Sequence, residues 1–276
     1  MKKKNILLLC LGLSYSLFLH AQHPIIQKVK SDGPVVVAHR AAPYLGFTEN
    51  SLAAMTMAVE SGIWMQEMDL MESQDGRLYL LHDQTLDRTT THQGAINTYS
   101  SADLEKVRLL GTDEKLPDFA SVLRHAKVKG ITLMLDVKHA PLAKVMKEVQ
   151  EQGMMQQVLL LTFSKERAQE ALDLKMTFVL SVLINDETDI RHYRQAAQGQ
   201  ALVAYINQNA PVNLFQSVRA SGLPILTDVL NKVDNTAEQL GGEHYTGFLS
   251  VRNPDLVVTD YPIKLLPLLH SRTLVP

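Results

Sequence analysis

The sequence predicts an α/β protein consisting of a single parallel (β/α)8 barrel of the TIM type. About eight short apolar runs alternate with segments of helical character, several of which end at glycine. A length of 276 residues with 46% hydrophobic side chains suits one large barrel or two small domains. Residues 37–42 stand where a doubly wound open sheet, the alternative, would carry a glycine-rich phosphate loop, and they contain no glycine.

The predicted strands are short and mostly apolar, as expected of parallel strands that are buried on both faces. They comprise residues 35–38, 65–70, 78–81, 131–137, 158–162, 178–183, 202–206, 224–226 and 256–259. A turn at residues 74–76, which ends in glycine, separates the second run from the third.

Helical patterns lie between these runs. They cover residues 50–60, 119–129, 142–152, 165–174 and 212–221. Gly130, Gly153 and Gly222 follow three of these segments, at the position where glycine commonly ends a helix.

The first 21 residues are expected to be a secretory signal peptide, which leaves residues 22–276 as the mature barrel domain. Three lysines precede an apolar run at residues 6–19, and Ala21 offers a small residue for cleavage. The run is short for a membrane span of about 20 residues, so we expect export to the periplasm or secretion without stable membrane insertion. An uncleaved anchor, and a lipoprotein acylated at Cys10, are the alternatives. Cys10 is the only cysteine, so the mature chain would have no thiolate site.

The charge balance argues against a nucleic-acid partner. The whole chain has 27 basic and 29 acidic residues, and removal of the three leader lysines leaves 24 against 29, a net charge of −5. A mildly acidic surface without a basic stripe is unsuited to nonspecific binding of nucleic acid.

Polar side chains follow several predicted strands at their carboxyl ends, where (β/α)8 barrels carry their functional residues. His39 and Arg40 end the first strand. Glu67 and Asp69 lie two residues apart on the second strand, so both side chains point to one face. Two carboxylates that close repel each other unless a cation lies between them, and we therefore expect a metal ion there. A surface His-Arg pair and two solvated acids are the alternative interpretation.

A later strand repeats this spacing with Asp136 and Lys138. Asp136 can supply a third oxygen ligand and Lys138 a positive charge for a phosphate, and a purely structural Asp-Lys pair is the alternative. His82 follows the strand at 78–81 and brings a second histidine to the barrel mouth. The adjacent Asp83 is expected to cap the turn rather than to orient His82.

Glu49 and Asn50 precede the first predicted helix. Asparagine is a favoured N-cap residue, so we expect Asn50 to cap this helix. Glu49 then faces the mouth, where it can pair with Arg40 or contact the substrate.

These residues belong to segments that occur in a characteristic order and spacing. The segments are residues 39–42, 49–54, 67–70, 82–90, 135–138 and 258–262. Together they strongly resemble the glycerophosphodiester phosphodiesterase family, over about residues 35–270.

The resemblance implies a (β/α)8 barrel with a short insertion after the second strand, within about residues 72–117. It implies a divalent metal, Mg²⁺ or Ca²⁺, at Glu67, Asp69 and Asp136. It also implies acid–base catalysis by His39 and His82, with Arg40 and Lys138 on the phosphate of a small glycerophosphodiester. The products would be glycerol 3-phosphate and an alcohol, formed after attack by the glycerol 2-hydroxyl and opening of a cyclic phosphate.

Three positions depart from the family pattern: Ala41 replaces a glycine, Asp136 stands where glutamate is common, and Leu226 lies in a segment that usually carries tryptophan. Two other functions stay open at this point. One is a barrel phosphodiesterase for another diester, such as a phosphoinositide. The other is an exported binding protein without catalysis, which the fold alone would allow.

Overall fold

The computed structural model describes residues 23–41 and 46–272. Within these ranges, eight parallel strands form a closed barrel and a ninth pairs antiparallel with one of them. The strands are β1 (Val35–Ala38), β2 (Met65–Glu72), β3 (Leu78–Leu80), β4 (Thr132–Val137), β5 (Val158–Leu161), β6 (Val179–Leu183), β7 (Ala201–Tyr205), β8 (Ile225–Asp228) and β9 (Leu256–Thr259). The barrel order is β1, β9, β8, β7, β6, β5, β4 and β2, and pairing of β2 with β1 closes the ring. The predicted barrel is confirmed.

Helices connect most of the strands and surround the barrel. They are α1 (Pro24–Asp32), α2 (Leu52–Glu60), α3 (Ser101–Leu104), α4 (Phe119–Lys129), α5 (Leu142–Glu151), α6 (Lys165–Asp173), α7 (Glu187–Ala196), α8 (Val212–Ser221), α9 (Lys232–Leu240), α10 (Glu243–Arg252) and α11 (Pro262–Arg272). The five predicted helices correspond to α2, α4, α5, α6 and α8. The sequence patterns did not predict α1, α3, α7, α9, α10 or α11.

Two hydrophobic layers hold the barrel together, because successive side chains of a strand point to opposite faces. The inner layer takes alternate residues of the strands: Val35, Val37, Met65, Met134, Leu159, Leu161, Val179, Val203, Leu226, Leu256 and Val258. The outer layer packs residues such as Leu133 and Leu135 against helix residues such as Phe119 and Leu142. Both faces of the strands are therefore buried, which accounts for their nearly continuous apolar sequences.

Helix α1 covers one end of the barrel. Its Ile25, Ile26 and Val29 join the inner hydrophobic layer, and Trp64, directly before β2, packs against the same layer. Trp64 therefore lies at the amino ends of the strands and serves packing, away from the carboxyl ends. Among the described helices, none combines the length and apolar character needed to cross a bilayer.

The connection from β2 to α4 contains the predicted insertion. It includes β3, which pairs antiparallel with the last residues of β2, a 3-10 helix at Ile96–Thr98, and α3. The insertion has a hydrophobic cluster of its own. The cluster contains Met71, Tyr79, Leu81, Leu86, Ile96, Leu104, Val107, Leu109 and Leu116. A separately packed insertion can hold polar side chains in fixed positions over the barrel mouth.

Candidate active site

A cavity of about 660 Å³ opens at the carboxyl ends of the strands. All eight residues singled out from the sequence line it: His39, Arg40, Glu49, Glu67, Asp69, His82, Asp136 and Lys138. Its volume lies within the usual range of small-molecule sites, and its position is the one that active sites occupy in (β/α)8 barrels.

Three carboxylates form an acidic cluster at the base of this cavity. Glu67 and Asp69 share one face of β2, and Asp136 of β4 lies directly opposite Asp69 in the strand register. One carboxylate oxygen from each residue lies within 4.8 Å of the others. Asp136 therefore reaches the cluster although its side chain is one methylene shorter than that of glutamate. Burial, together with the charges of Asp69 and Asp136, raises the pKa of Glu67 to about 8. Three hard oxygen donors crowded in this way fit a Mg²⁺ or Ca²⁺ ion, which would relieve their repulsion.

Two basic side chains compensate part of this negative charge. Lys138 Nζ lies 2.8 Å from Asp69 Oδ1 and 2.5 Å from Asp136 Oδ2, and Arg40 Nε lies 3.4 Å from Asp69 Oδ2. Burial would raise the pKa of Asp69, but the Lys138 ammonium outweighs it and the pKa is lowered. Lys138 thus bridges the two acids, while the buried Arg40 Nε makes no hydrogen bond to a described residue.

The predicted N-cap role of Asn50 is wrong. Ser51 caps α2 by accepting a hydrogen bond from the Ala54 N–H, and Asn50 adopts a positive φ of 55° just before it. The Asn50 side chain instead donates to Asp69 Oδ2 at 2.9 Å and accepts from the Asp69 backbone N–H at 3.1 Å. Asn50 therefore fixes the Asp69 carboxylate.

Replacement of Asn50 by alanine is expected to lower the free energy of unfolding by about 1–3 kcal/mol. The reason is that both a buried N–H and a buried carboxylate oxygen of Asp69 would lose their partner. Urea unfolding measures the effect. Asn235→Ala, on the exposed side of α9, is the matched control and should be nearly neutral. Equal stability of the two variants would contradict this role.

His39 is held by Asp260, which lies in the segment 258–262 but to which the sequence patterns gave no role. Its Nδ1 lies 2.6 Å from Asp260 Oδ1, and its Nε2 lies 4.0 Å from Glu67 Oε2. A carboxylate only accepts, so Nδ1 carries the proton and Nε2 is left to exchange protons in the cavity. Burial lowers the pKa of His39, but Asp260 and Glu67 outweigh it and raise the pKa overall.

Asp260 is itself anchored from α9. Its backbone N–H donates to Asp234 Oδ2 at 2.8 Å, and the buried Asp234 also accepts from Tyr245 and Thr259. Burial raises the pKa of Asp234 to about 6 despite these three donors. Asp260 follows the last strand directly, so the strand-end rule would have found it; Asp234 left no comparable signal.

His82 has a similar arrangement in the insertion. Its Nδ1 lies 2.6 Å from Asp83 Oδ1, so Asp83 orients the imidazole and the expected turn cap is wrong. Arg88 donates to both Asp83 oxygens, at 2.6 and 3.1 Å, and its hydrogen bonds together with His82 lower the pKa of Asp83 to about 2. Nε2 of His82, like that of His39, is left for exchange in the cavity.

Glu49 connects the β1 end of the cavity with the insertion. Both of its oxygens lie 3.2 Å from Arg40 Nη1, and Arg88 contacts them at 2.7 and 2.9 Å. Glu49 was expected to pair with Arg40 or to contact the substrate, and the pairing with Arg40 is present in the structure.

The backbone at Arg40 and Ala41 adopts positive φ angles of 49° and 63°. Residues with a side chain rarely adopt this region. The turn lets the Arg40 N–H donate to Glu67 Oε2 at 3.0 Å. Ala41 thus makes the turn without the freedom of glycine, at some cost in backbone strain.

The cavity therefore combines an acidic cluster, the basic side chains of Arg40 and Lys138, and two histidines whose Nε2 atoms can move protons. The sequence model of one protein family, the glycerophosphoryl diester phosphodiesterases, matches residues 39–264 of this chain. The chain belongs to this family. The predicted resemblance is confirmed, and with it the prediction of an enzyme that hydrolyses phosphoric diesters.

Three relatives of this phosphodiesterase illustrate the match. YhdW of Bacillus subtilis is 24% identical over 242 residues, which is 82% of this chain and 94% of that protein. A glycerophosphoryl diester phosphodiesterase from Parabacteroides distasonis has a TM-score of 0.79 at 18% identity, covering 88% of each chain. A phosphodiesterase of Oleispira antarctica, solved with its product sn-glycerol 3-phosphate, has a TM-score of 0.67 at 22% identity and covers 87% of this chain and 98% of its own. At these identities the solved structures establish the fold.

Proposed function

We propose that this phosphodiesterase hydrolyses glycerophosphodiesters to glycerol 3-phosphate and an alcohol. The observation that carries the proposal is the pair of histidines in one cavity, each with Nδ1 bound to a carboxylate and Nε2 left for proton transfer. The same arrangement, a carboxylate that orients a histidine, activates nucleophiles in many unrelated hydrolases. The Oleispira antarctica structure, with sn-glycerol 3-phosphate as product, supports this choice of substrate class.

In this proposal Glu67, Asp69 and Asp136 hold one divalent cation, Mg²⁺ or Ca²⁺. When bound, the cation supplies positive charge to the phosphate oxygens and relieves the repulsion within the acidic cluster. Arg40 and Lys138 orient the phosphate and stabilise the charge that builds up on its oxygens. The positive charge of Arg40 is permanent, and Asp69 and Asp136 raise the pKa of Lys138 against the effect of its burial, so both are charged at neutral pH.

The two histidines divide the proton transfers. One Nε2 takes the proton from the glycerol 2-hydroxyl as its oxygen bonds to phosphorus, and the other gives a proton to the alcohol whose bond to phosphorus breaks. Water then opens the resulting cyclic phosphate, with proton transfer by the same two histidines, and glycerol 3-phosphate is released. Asp260 and Asp83 hold the rings in the tautomer that this requires. Glu49 supports the site by keeping the Arg40 side chain in place.

A substrate panel tests the proposal. The purified chain would be incubated with Mg²⁺ or Ca²⁺ and with the choline, ethanolamine, glycerol and inositol diesters of glycerol 3-phosphate, and with an aryl phosphodiester that lacks glycerol. We expect release of glycerol 3-phosphate from the glycerol-containing diesters. Cleavage of the aryl diester alone would favour another diester substrate, and saturable binding without product would favour a binding protein.

The pH profile of Asp260→Asn is a further prediction. In the native protein Asp260 raises the pKa of His39 by favouring the imidazolium. Loss of its charge lowers that pKa, so the limb of the kcat/KM profile that His39 sets moves to lower pH. The maximal rate should fall about tenfold or more, because the imidazole loses its orientation. A kcat/KM profile that is lower at every pH, but whose limbs lie at the same pH as in native protein, would contradict the role of Asp260.

We also propose that the chain is exported after removal of its first 21 residues, which lie outside the described ranges. The basic start, the apolar run and Ala21 support this. Cell fractionation followed by amino-terminal sequencing tests it. A mature chain that begins at Gln22 outside the cytoplasm is expected, and a full-length cytoplasmic chain would overturn the proposal.

A further inference from the structure

The cavity has a second wall whose chemistry differs from the site described above. We name this the aromatic wall, and define it as Phe163, Tyr205, Leu226, Asp228, Leu230 and Tyr261, which all line the cavity. They come from the ends of β5, β7, β8 and β9.

Phe163 is an aromatic side chain that core packing does not explain. It lies two residues beyond Leu161, on the cavity side of β5, and is 46% exposed. Its ring stands edge-to-face with Tyr205, at a centroid distance of 5.4 Å and an interplanar angle of 85°. A half-exposed aromatic ring held in place at a cavity mouth is suited to contact a ligand.

Asp228 is the distinctive polar group of the aromatic wall. Tyr205 donates to its Oδ2 at 2.7 Å and Gln208 Nε2 donates to its Oδ1 at 2.6 Å. Both donors are neutral, and in the described part of the chain no arginine, lysine or histidine forms an ion pair with Asp228.

The other five carboxylates that line the cavity differ from Asp228 in this respect. Each has a basic nitrogen within 4.0 Å, and the five are Glu49, Glu67, Asp69, Asp136 and Asp260. Two hydrogen bonds thus hold the Asp228 carboxylate in position, and no cationic side chain of the described residues pairs with it. Such a carboxylate is complementary to a cation that the ligand brings.

We propose that the aromatic wall binds the quaternary ammonium group of a choline-type leaving alcohol, which makes a glycerophosphocholine-like diester the preferred substrate. This inference rests on the proposed function, because it assigns one arm of the diester to this wall. Aromatic rings attract quaternary ammonium ions, and Asp228 supplies the compensating charge. A trimethylammonium group donates no hydrogen bonds. It can therefore pack against the apolar side chains of Phe163 and Leu230 without losing a hydrogen bond. Hydroxyl-rich alcohols would lose hydrogen bonds to water at the same surface.

The test compares kcat/KM for the choline and glycerol diesters of glycerol 3-phosphate, in native protein and in two variants. We expect native protein to favour the choline diester by about tenfold or more, and Asp228→Asn to reduce that ratio by about tenfold. Phe163→Leu keeps an apolar side chain but removes the aromatic ring, and it should reduce the ratio about threefold. Asp173→Asn, at the exposed end of α6, is the matched control and should leave the ratio as in native protein.

The outcomes separate the two proposals. Absence of hydrolysis of every glycerophosphodiester would refute the proposed function itself. Hydrolysis without a preference for choline, or a preference that both variants retain, would refute only the assignment of the aromatic wall. Preference for the ethanolamine diester over the choline diester would overturn the choice of a quaternary ammonium. If Asp228→Asn fails to fold, Phe163→Leu decides, because its side chain is half exposed and tolerates replacement.

Discussion

His39→Ala and His82→Ala should each lower the rate of glycerophosphodiester hydrolysis by about 10²-fold or more. Each substitution removes an Nε2 atom that the proposed mechanism uses for proton transfer. It also leaves a carboxylate, Asp260 or Asp83, without its imidazole partner. Steady-state kinetics at saturating substrate, with circular dichroism to verify folding, measures the effect.

The control for these variants is His192→Ala. His192 lies on the exposed side of α7, with its ring steeply inclined to the Tyr193 ring at a centroid distance of 5.0 Å. Its removal should leave the rate within about twofold of the native value, as expected for a surface substitution. Near-normal turnover in both His39→Ala and His82→Ala would remove the histidines from the mechanism.

The pairing of His39 with Asp260 illustrates what the sequence could predict. Strand periodicity placed Glu67 and Asp69 on one face, and the strand-end rule brought His39, Asp136 and Lys138 to the same mouth. These inferences needed only local spacing and the topology of a barrel. Asp234 was out of reach, because it lies on α9 and contacts Asp260 only through the tertiary fold.

Local rules misassigned Asn50 and Asp83 for a related reason. Both residue types commonly cap helices and turns, and both have a nearby backbone to cap. In the folded protein each has a stronger partner: the buried Asp69 for Asn50, and His82 together with Arg88 for Asp83. For polar residues in a barrel mouth, partners that are distant in sequence should therefore be considered even where a nearby backbone group could be capped.

Two of the missed helices have a compositional cause. Helix α7 has the sequence ETDIRHYRQA, in which most residues are polar or charged, so few apolar side chains mark its helical period. Helix α10 contains Gly247 and also has weak amphipathic character. Neighbouring helices and strands stabilise both in the barrel, and a single-sequence pattern does not contain that information.

Removal of divalent metal should lower hydrolysis by about 10²-fold or more, and Mg²⁺ or Ca²⁺ should restore it. The acidic cluster also predicts an effect on stability that is independent of activity. Burial, together with Asp69 and Asp136, raises the pKa of Glu67 to about 8 in the folded protein, whereas its ordinary value is 4.5. The metal-free folded state therefore binds a proton that the unfolded state releases. Its stability should fall as the pH rises from about 5 to 8.

Thermal unfolding of metal-free protein across this pH range, with and without added cation, measures that effect. Bound cation should raise the melting temperature most at the alkaline end, where Glu67 would otherwise be ionised without compensation. Glu67→Gln should remove the part of the pH-dependent loss that Glu67 causes, while the part caused by the raised pKa values of Asp234 and His39 should remain. It should also abolish the stabilisation by metal. Glu151→Gln, an exposed residue of α5 that pairs with Lys147, should retain both. If the melting temperature of native protein does not respond to either cation, then Glu67, Asp69 and Asp136 do not form a metal site, whatever the outcome of the kinetic experiments.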